Sequence, residues 1–250
     1  MDSAHDHDRP LGPFVGDSPA VRPSPATKLL GRYVLVLGMT TQHIESLYPH
    51  VSGDENAYLW DYMLGGPFNE LTEFRAIMGA QINSPDMVLY AIIPVDQPTT
   101  PSGADNVIGC ASYMNINTKN RCVEVGSVMF SPKLQRTPAA TEAMYLMAKH
   151  AFEDLGYRRY EWKCNTLNAS SQRAARRLGF TFEGVFRQHM VIKGRNRDTA
   201  WFAIVDGDWP GIRDAFDKWL DPSNFDEDGL QQSKLEDYRK KQNKGVGLPN

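Results

Sequence analysis

"SPKLQRTPAATEA" (Ser131–Ala143) decides how the chain is read. An apolar stretch, Val123 to Phe130, runs into a Gln-Arg-Thr turn and then into a helix-like segment beginning Ala139-Ala140-Thr141-Glu142-Ala143. A strand-turn-helix junction of this kind aims backbone N–H groups and the positive end of a helix dipole at one spot, which suits a phosphate. Pro138 sits in the middle and has no N–H to offer. Proline is nonetheless at home in the first turn of a helix, where its fixed φ is already helical. Losing one donor of several costs about 1–2 kcal/mol of a larger sum. Gln135, Arg136 and the hydroxyls of Thr137 and Thr141 are candidates to replace it. The plain alternative is a capped helix start with no ligand.

Outward from this junction the chain alternates in type. Upstream, "RYVLVL" from Arg32, "MVLYAIIP", "VIGCASYMNI" and "CVEVGSVMF" read as strands, the last three as an antiparallel run. Between the first and second, Thr40-Thr41 caps a helix over His43 to Val51, and a further helical region is broken at Gly65-Gly66-Pro67. Downstream, Ala139 to Leu155 places Ala143, Leu146, Met147, Ala151 and Leu155 on one helical face, closed by Gly156. "RRYEWKC" is a strand, Ala169 to Leu178 a helix closed by Gly179, and "FTFEGVFRQHMVI" and "DTAWFAIV" a hairpin around "KGRNR". The expected class is α/β, a central mixed, mostly antiparallel twisted sheet flanked by helices. Residues 1–28, with five prolines and scattered charge, read as a flexible arm; 29–210 form the domain; a helix and charged tail over 211–250 read as peripheral. His5-Asp6-His7-Asp8 is either a short metal-binding tract or a solvated tail.

Bulk composition bounds the partners. With 41% hydrophobic and 23% charged residues in 250 and a net charge of -3, the chain is an ordinary globular protein. Cys110, Cys122 and Cys164 are too widely spaced for a disulfide framework or a metal cluster, and their odd number suits a reducing compartment. No apolar run reaches membrane-spanning length, and the N-terminus lacks a secretory core, so a cytoplasmic protein without membrane or metal partners is expected. Arg158 to Arg197 contains ten Lys or Arg against two acids, Glu161 and Glu183. That asymmetry reads as an anion site. A nucleic-acid surface is the rival, but aromatic-basic interleaving and a recognised binding motif are lacking, so nucleic acid is not expected.

The residues from Val123 to Trp209 resemble the Gcn5-related N-acetyltransferase (GNAT) family, in its ribosomal-protein N-terminal acetyltransferase branch with that branch's small-molecule relatives. The family's acetyl-CoA loop, Gln/Arg-x-x-Gly-x-Gly/Ala, falls on Gln135-Arg136-Thr137-Pro138-Ala139-Ala140, followed by the branch's Thr141-Glu142-Ala143. Asn168-Ala169-Ser170-Ser171 matches the opening Asn-x-x-Ser of its next helix, and Leu178-Gly179-Phe180 its close; Glu183-Gly184 and Arg187 match the following strand. Two departures stand out. Pro138 replaces the first loop glycine, and Ala175 stands where many members carry the tyrosine that protonates the departing CoA thiolate.

The resemblance implies acetyl-CoA as cosubstrate and direct acetyl transfer to an amine in a ternary complex. The implied cofactor set is Val128 and Phe130, by backbone pairing with pantetheine, then Gln135, Arg136, Thr137, Ala139, Ala140, Thr141, Asn168 and Ser171. An ammonium must lose a proton before it attacks, and a carboxylate within reach, directly or through water, meets that need. Glu124, on the strand entering the loop, is the candidate base; its alternative is an edge-strand surface residue. Ser171 is the candidate donor to the departing thiolate, as in the ribosomal branch; its alternative is the cap neighbourhood of Asn168. Glu183 and His189 are reserve bases, each with a structural role as its alternative, and Cys164 reads as a buried core cysteine rather than an acetyl carrier. Trp60, Tyr62, Phe68 and Tyr113, with His189, are the candidate acceptor wall; the alternative for the four aromatics is a place in the core. The acceptor is then a small amine (amino acid, polyamine or toxic metabolite), or alternatively a protein N-terminus; a non-catalytic acyl-CoA sensor is the third reading. A monomer or homodimer is expected.

Overall fold

The structure, a computed structural model, describes residues 11–95 and 106–243. The His5-Asp6-His7-Asp8 tract lies outside the described residues, as does most of the Pro- and Thr-rich loop after Val95. In chain order the elements are β1 (Lys28–Leu30), β2 (Val34–Gly38), α1 (Thr41–Val51), a 3-10 segment (Asp54–Trp60), α2 (Leu71–Ile82), β3 (Met87–Pro94), β4 (Gly109–Asn117), β5 (Cys122–Phe130), α3 (Pro138–Lys149), β6 (Arg159–Asn165), α4 (Ala169–Leu178), β7 (Thr181–Ile192), β8 (Arg195–Val205), α5 (Trp209–Trp219) and α6 (Leu235–Asn243). They build one eight-stranded sheet of order β1-β2-β3-β4-β5-β6-β8-β7. Every neighbour pair is antiparallel except β5 and β6, which α3 connects. The expected mixed, mostly antiparallel α/β sheet is what forms.

Period-two alternation splits the strands between two cores. In β3, Val88, Tyr90 and Ile92 join the cluster under α3, α4 and α5, while Leu89, Ala91 and Ile93 join the cluster under α1 and α2. The second cluster holds no residue of β6, β7 or β8. Half of that sheet face is therefore free of a helical cover, and it carries the polar side chains described below.

Local chemistry explains the helix ends. Thr40 caps α1 through a reciprocal pair, its Oγ1 accepting from the His43 N–H and His43 Nδ1 from the Thr40 N–H. α4 ends on Gly179 at φ 102, a conformation that costs glycine little. α3 ends earlier than Leu155: its α-helical hydrogen bonding stops at Lys149, and one π-helical turn, His150–Asp154, follows. The last hairpin is also tighter than "KGRNR". Its turn is Lys193-Gly194, φ 49 and 72, the left-handed pair that a two-residue hairpin turn requires, and β8 begins at Arg195.

Two peripheral readings change. α5 is core, with Trp209, Ile212, Phe216 and Trp219 buried against α3, so truncating Phe216 to Ala would cost about 3–5 kcal/mol. The proline-rich stretch is held over its second half. The Ala20 and Val21 amides donate to Thr118 O (3.0 Å) and Leu155 O (2.8 Å), and Arg121 donates to Val15 O at 2.9 Å.

Candidate active site

The site begins with a strand separation. β5 and β6 pair only over Cys122–Glu124 and Arg159–Glu161. Beyond Glu124 each strand keeps its other partner: β5 stays on β4 to Phe130 and β6 on β8 to Asn165. A bulge drives the parting. Between the pairs Ser112↔Gly126 and Cys110↔Met129, β5 has two residues opposite one of β4, with Ser127 at φ 48. Such an insertion bends and twists the strand. The edge of β5 that contains Val128 and Phe130 is thus left unpaired toward the gap, ready to be extended by an amide-bearing chain.

At the far end of this gap stands the N-terminus of α3. Pro138 occupies the first helical position and Thr137 the N-cap. The Thr137 hydroxyl is spent internally, accepting from the Ala140 N–H (3.2 Å) and donating to Leu134 O (2.7 Å). Gln135 Nε2 donates to Phe130 O at 2.9 Å, and Thr141 Oγ1, which is buried, accepts from Arg177 Nη1 at 3.0 Å. Among the described residues the amides of Arg136 and Ala139 lack an acceptor. Arg136 is exposed at φ 62, a left-handed turn that faces successive N–H groups one way. Of the four side chains expected to replace the missing proline donor, Gln135, Thr137 and Thr141 are engaged within the protein and Arg136 has no side-chain partner among the described residues.

α4 supplies the next pair. Asn168 is its N-cap, Oδ1 accepting from the Ser171 N–H (3.0 Å) and Ser170 Oγ (2.8 Å). Ser171 Oγ accepts from Trp162 Nε1 at 2.9 Å. That acceptor role leaves the hydroxyl proton to be given onward. Cys164 lies beside it on β6; burial pushes its thiol up, partly offset by the Ser171 hydroxyl. Ala175, one turn after Ser171, is fully buried in the core.

Glu124 is buried on the helix-free part of the sheet face, where a row of charges forms. Its Oε2 accepts from Asn115 Nδ2 and from Lys163 Nζ, both at 2.6 Å. Lys163 also reaches Glu161 Oε2 at 2.9 Å, and Arg159 links Glu161 Oε1 (2.6 Å) to Glu183 Oε1 (2.8 Å). The Arg159 guanidinium holds the Glu183 carboxyl below the usual carboxylate range, which disfavours Glu183 as a base. The second oxygen of Glu124, Oε1, has no partner among the described residues and lies toward Gly126, 3.4 Å from where a Cβ there would stand. It is the carboxylate atom left open to a further partner.

The row continues onto the hairpin. Lys163 Nζ sits 4.0 Å from the Trp201 ring centroid, Trp201 packs on Phe186 at 4.4 Å, and His189 lies 6.2 Å from Trp201 with Nδ1 3.0 Å from Thr199 Oγ1. The Trp201 indole N–H is buried without an acceptor among the described residues. Lys163, Trp201 and Asn115 are additions to the sequence reading; the signal was the alternation Glu161-Trp162-Lys163-Cys164, which puts two charges on the face of Glu124.

The expected acceptor wall divides. Trp60 and Phe68 pack edge-to-face at 4.9 Å with Phe74, in the core under α1 and α2. Tyr113 does not join them. It lies on the opposite sheet face, fully buried, its hydroxyl donating to Met147 O at 2.6 Å. Tyr62 stands at the open side, its hydroxyl donating to Leu167 O at 3.1 Å, and Lys193 Nζ donates to Trp60 O at 2.8 Å. These two contacts bridge the segment between α1 and α2 to the β6–α4 loop and the hairpin tip.

Comparison with known proteins places this architecture. Residues 34–181 match the family model described as the acetyltransferase (GNAT) domain. A solved GCN5-related N-acetyltransferase from Brucella melitensis is 39% identical, with a TM-score of 0.83 over 89% of this chain and 98% of that one. Among curated Bacillus subtilis proteins, the uncharacterized N-acetyltransferase YoaA is 31% identical over 40% of this chain and 55% of its own length. YdaF, named as a candidate ribosomal N-acetyltransferase, is 24% identical over 42% and 57%. The chain thus spans little more than half the length of these curated relatives. From the extent of the family match and the near-complete overlap with the Brucella structure, the chain belongs to the GNAT acetyltransferase family.

Proposed function

We propose that the protein is an acetyl-CoA-dependent N-acetyltransferase acting on the primary amine of a small molecule. The observation that carries this reading is the gap between β5 and β6, with an unpaired β5 edge along one side and the free amides of Arg136 and Ala139 at its end. An unpaired strand edge fits the amide-bearing pantetheine arm, and two unpartnered amides at a helix N-terminus fit a pyrophosphate. Acetyl-CoA, when bound, supplies an activated acyl carbon and a thiolate leaving group.

The chain's residues then have defined tasks. Lys163 and Asn115 hold Glu124 through one oxygen, so that the other takes the proton the ammonium must shed, directly or through water. Ser171, its oxygen already receiving the Trp162 N–H, gives its proton toward the departing sulfur in place of the tyrosine that Ala175 replaces. Trp201, His189 and Tyr62 line the acceptor side. The bridging contacts of Tyr62 and Lys193 narrow that side, which favours a slender amine. The second reading, a protein N-terminus, is supported by the similarity to YdaF and its printed name.

A thiol-release assay with a panel of amines and peptides, run beside acetyl-CoA calorimetry, tests the proposal. Turnover with small amines is expected. Turnover confined to peptides would transfer the function to the second reading, and binding without any turnover would make the protein a sensor.

A further inference from the structure

The acceptor side of the site holds a guanidinium to which the mechanism above gives no task. Arg197, on β8, is half-buried and makes no ion pair among the described residues. A run of contacts leads to it from the candidate base. Glu124 accepts from Lys163 (2.6 Å), Lys163 lies over the Trp201 ring (4.0 Å), and Trp201 stands beside His189 (6.2 Å). The Thr199 hydroxyl then joins His189 Nδ1 (3.0 Å) to Arg197 Nε (3.2 Å). Strand register explains the row: Trp201 pairs with Lys163 and Thr199 with Asn165, and alternation puts Arg197, Thr199 and Trp201 on one face of β8. It is the helix-free face that carries Glu124.

The other cations of this face are matched. Lys163 serves Glu124 and Glu161, and Arg159 serves Glu161 and Glu183. Asp198, next to Arg197 in sequence, accepts instead from the Gln188 amide (2.7 Å) and from Asn196 Nδ2 (3.0 Å). Burial draws the Arg197 pKa down, and Cys164 and Glu124 oppose this only in part, so a bound anion would offset the desolvation. Thr199 also sets the donors. By accepting from Nε it leaves the Nη groups without a partner among the described residues, and when its own proton goes to His189 Nδ1 the imidazole donates from Nε2. A guanidinium fork beside a second N–H donor, next to the apolar shelf of Phe186 and Trp201, suits a carboxylate on a small organic body.

Resting on the acetyltransferase reading above, we propose that the acceptor is a small aminocarboxylate, such as a free amino acid, with its carboxylate held by Arg197 and its amine turned toward Glu124. A diamine or polyamine fits this row poorly, because its second ammonium would stand against the guanidinium. Arg197 is thus a specificity-determining residue, and it lies outside residues 34–181, which match the family model.

A thiol-release assay on the full chain compares α-, β- and γ-amino acids, each with its own primary amide, which keeps the amine and the side chain and removes the charge. The amine of the amide is the less basic of the two, so a preference for the acid cannot come from easier deprotonation. The acid of best-fitting length is expected to exceed its amide in kcat/KM by about tenfold or more. Arg197→Gln should narrow that ratio to about threefold or less, chiefly by raising KM for the acid, with acetyl-CoA affinity by calorimetry unchanged. Arg197→Lys should keep an intermediate ratio. Amides or diamines turned over by the parent as well as the acids would overturn the carboxylate site and leave the acetyltransferase reading standing. An undiminished ratio in Arg197→Gln would overturn the role of Arg197. Binding of acetyl-CoA with no small amine acetylated would overturn the small-molecule reading and the carboxylate site together.

Discussion

Removing the carboxylate of Glu142 should unlatch α3 from the start of the sheet. This side chain is buried, and its two oxygens accept three consecutive backbone amides: Arg32 N at 2.8 Å, Tyr33 N at 2.6 Å and Val34 N at 3.0 Å. Hydrogen bonds to a charged group contribute about 1.5–3 kcal/mol each. They share one acceptor, and water can reach the part-buried Arg32 and Tyr33 amides once the side chain is gone, so the terms do not add in full. Glu142→Ala is therefore expected to cost about 3–5 kcal/mol, a large part of the 5–15 kcal/mol that holds a typical domain together. Glu142→Gln keeps one carbonyl oxygen but turns an NH₂ toward an N–H, and should cost about 2 kcal/mol. Urea titrations read by linear extrapolation measure both, with unchanged slope marking an unchanged unfolded state. A loss under about 1 kcal/mol for Glu142→Ala would show that the three amides find equal partners in water, and would refute the latch. Gly31 offers an independent check, because a Cβ there would intrude on the Glu142 carboxyl group; Gly31→Ala should destabilise in the same sense.

Other expectations concern the chemistry. Glu124→Gln should leave acetyl-CoA affinity intact and lower turnover by about a hundredfold or more, as loss of a general base does; parental rates at both neutral and high pH would remove Glu124 from that role. Arg136→Ala should weaken CoA more than a pantetheine fragment without phosphates, by calorimetry, and equal losses would deny the loop a phosphate. Cys164→Ala should retain most of the transfer rate, since a buried thiol whose pKa is raised is a poor nucleophile; abolished transfer with intact binding would restore the carrier role. In the native protein at neutral pH all three thiols should react slowly with a disulfide reagent, because burial raises each one, Cys110 to about 12. Rapid labelling of any of them before unfolding would contradict that.

Punctuation residues carried most of the fold. Thr40 before α1 and Gly179 after α4 act through their nearest neighbours, and such local chemistry is visible in one dimension. Alternation in β4 showed that Tyr113 points out of the strand, but both faces of this sheet carry a core, so nothing local says which layer a tyrosine enters. α5 had its Trp209, Ile212, Phe216 and Trp219 spacing in plain view; proximity to the charged end of the chain hid it. At the site, the loop and the Asn-x-x-Ser cap were legible because they are contiguous. The partners of Glu124 were not: Lys163 lies 39 residues away and meets it only because β5 and β6 are neighbours. Glu142 shows the same limit over a separation of 108 to 110 residues, where the contact depends on the finished topology.

The Tyr62–Leu167 and Lys193–Trp60 hydrogen bonds also set a traffic rule. Each is a partly exposed contact worth about 0.5–1.5 kcal/mol net, so parting the two together requires about 1–3 kcal/mol. At thermal energy that leaves the two contacts parted from about one part in 160 to about one in six of the time. If acceptors pass on this side, as proposed above, Lys193→Ala should speed exchange of bulky acceptors while leaving small ones unaffected.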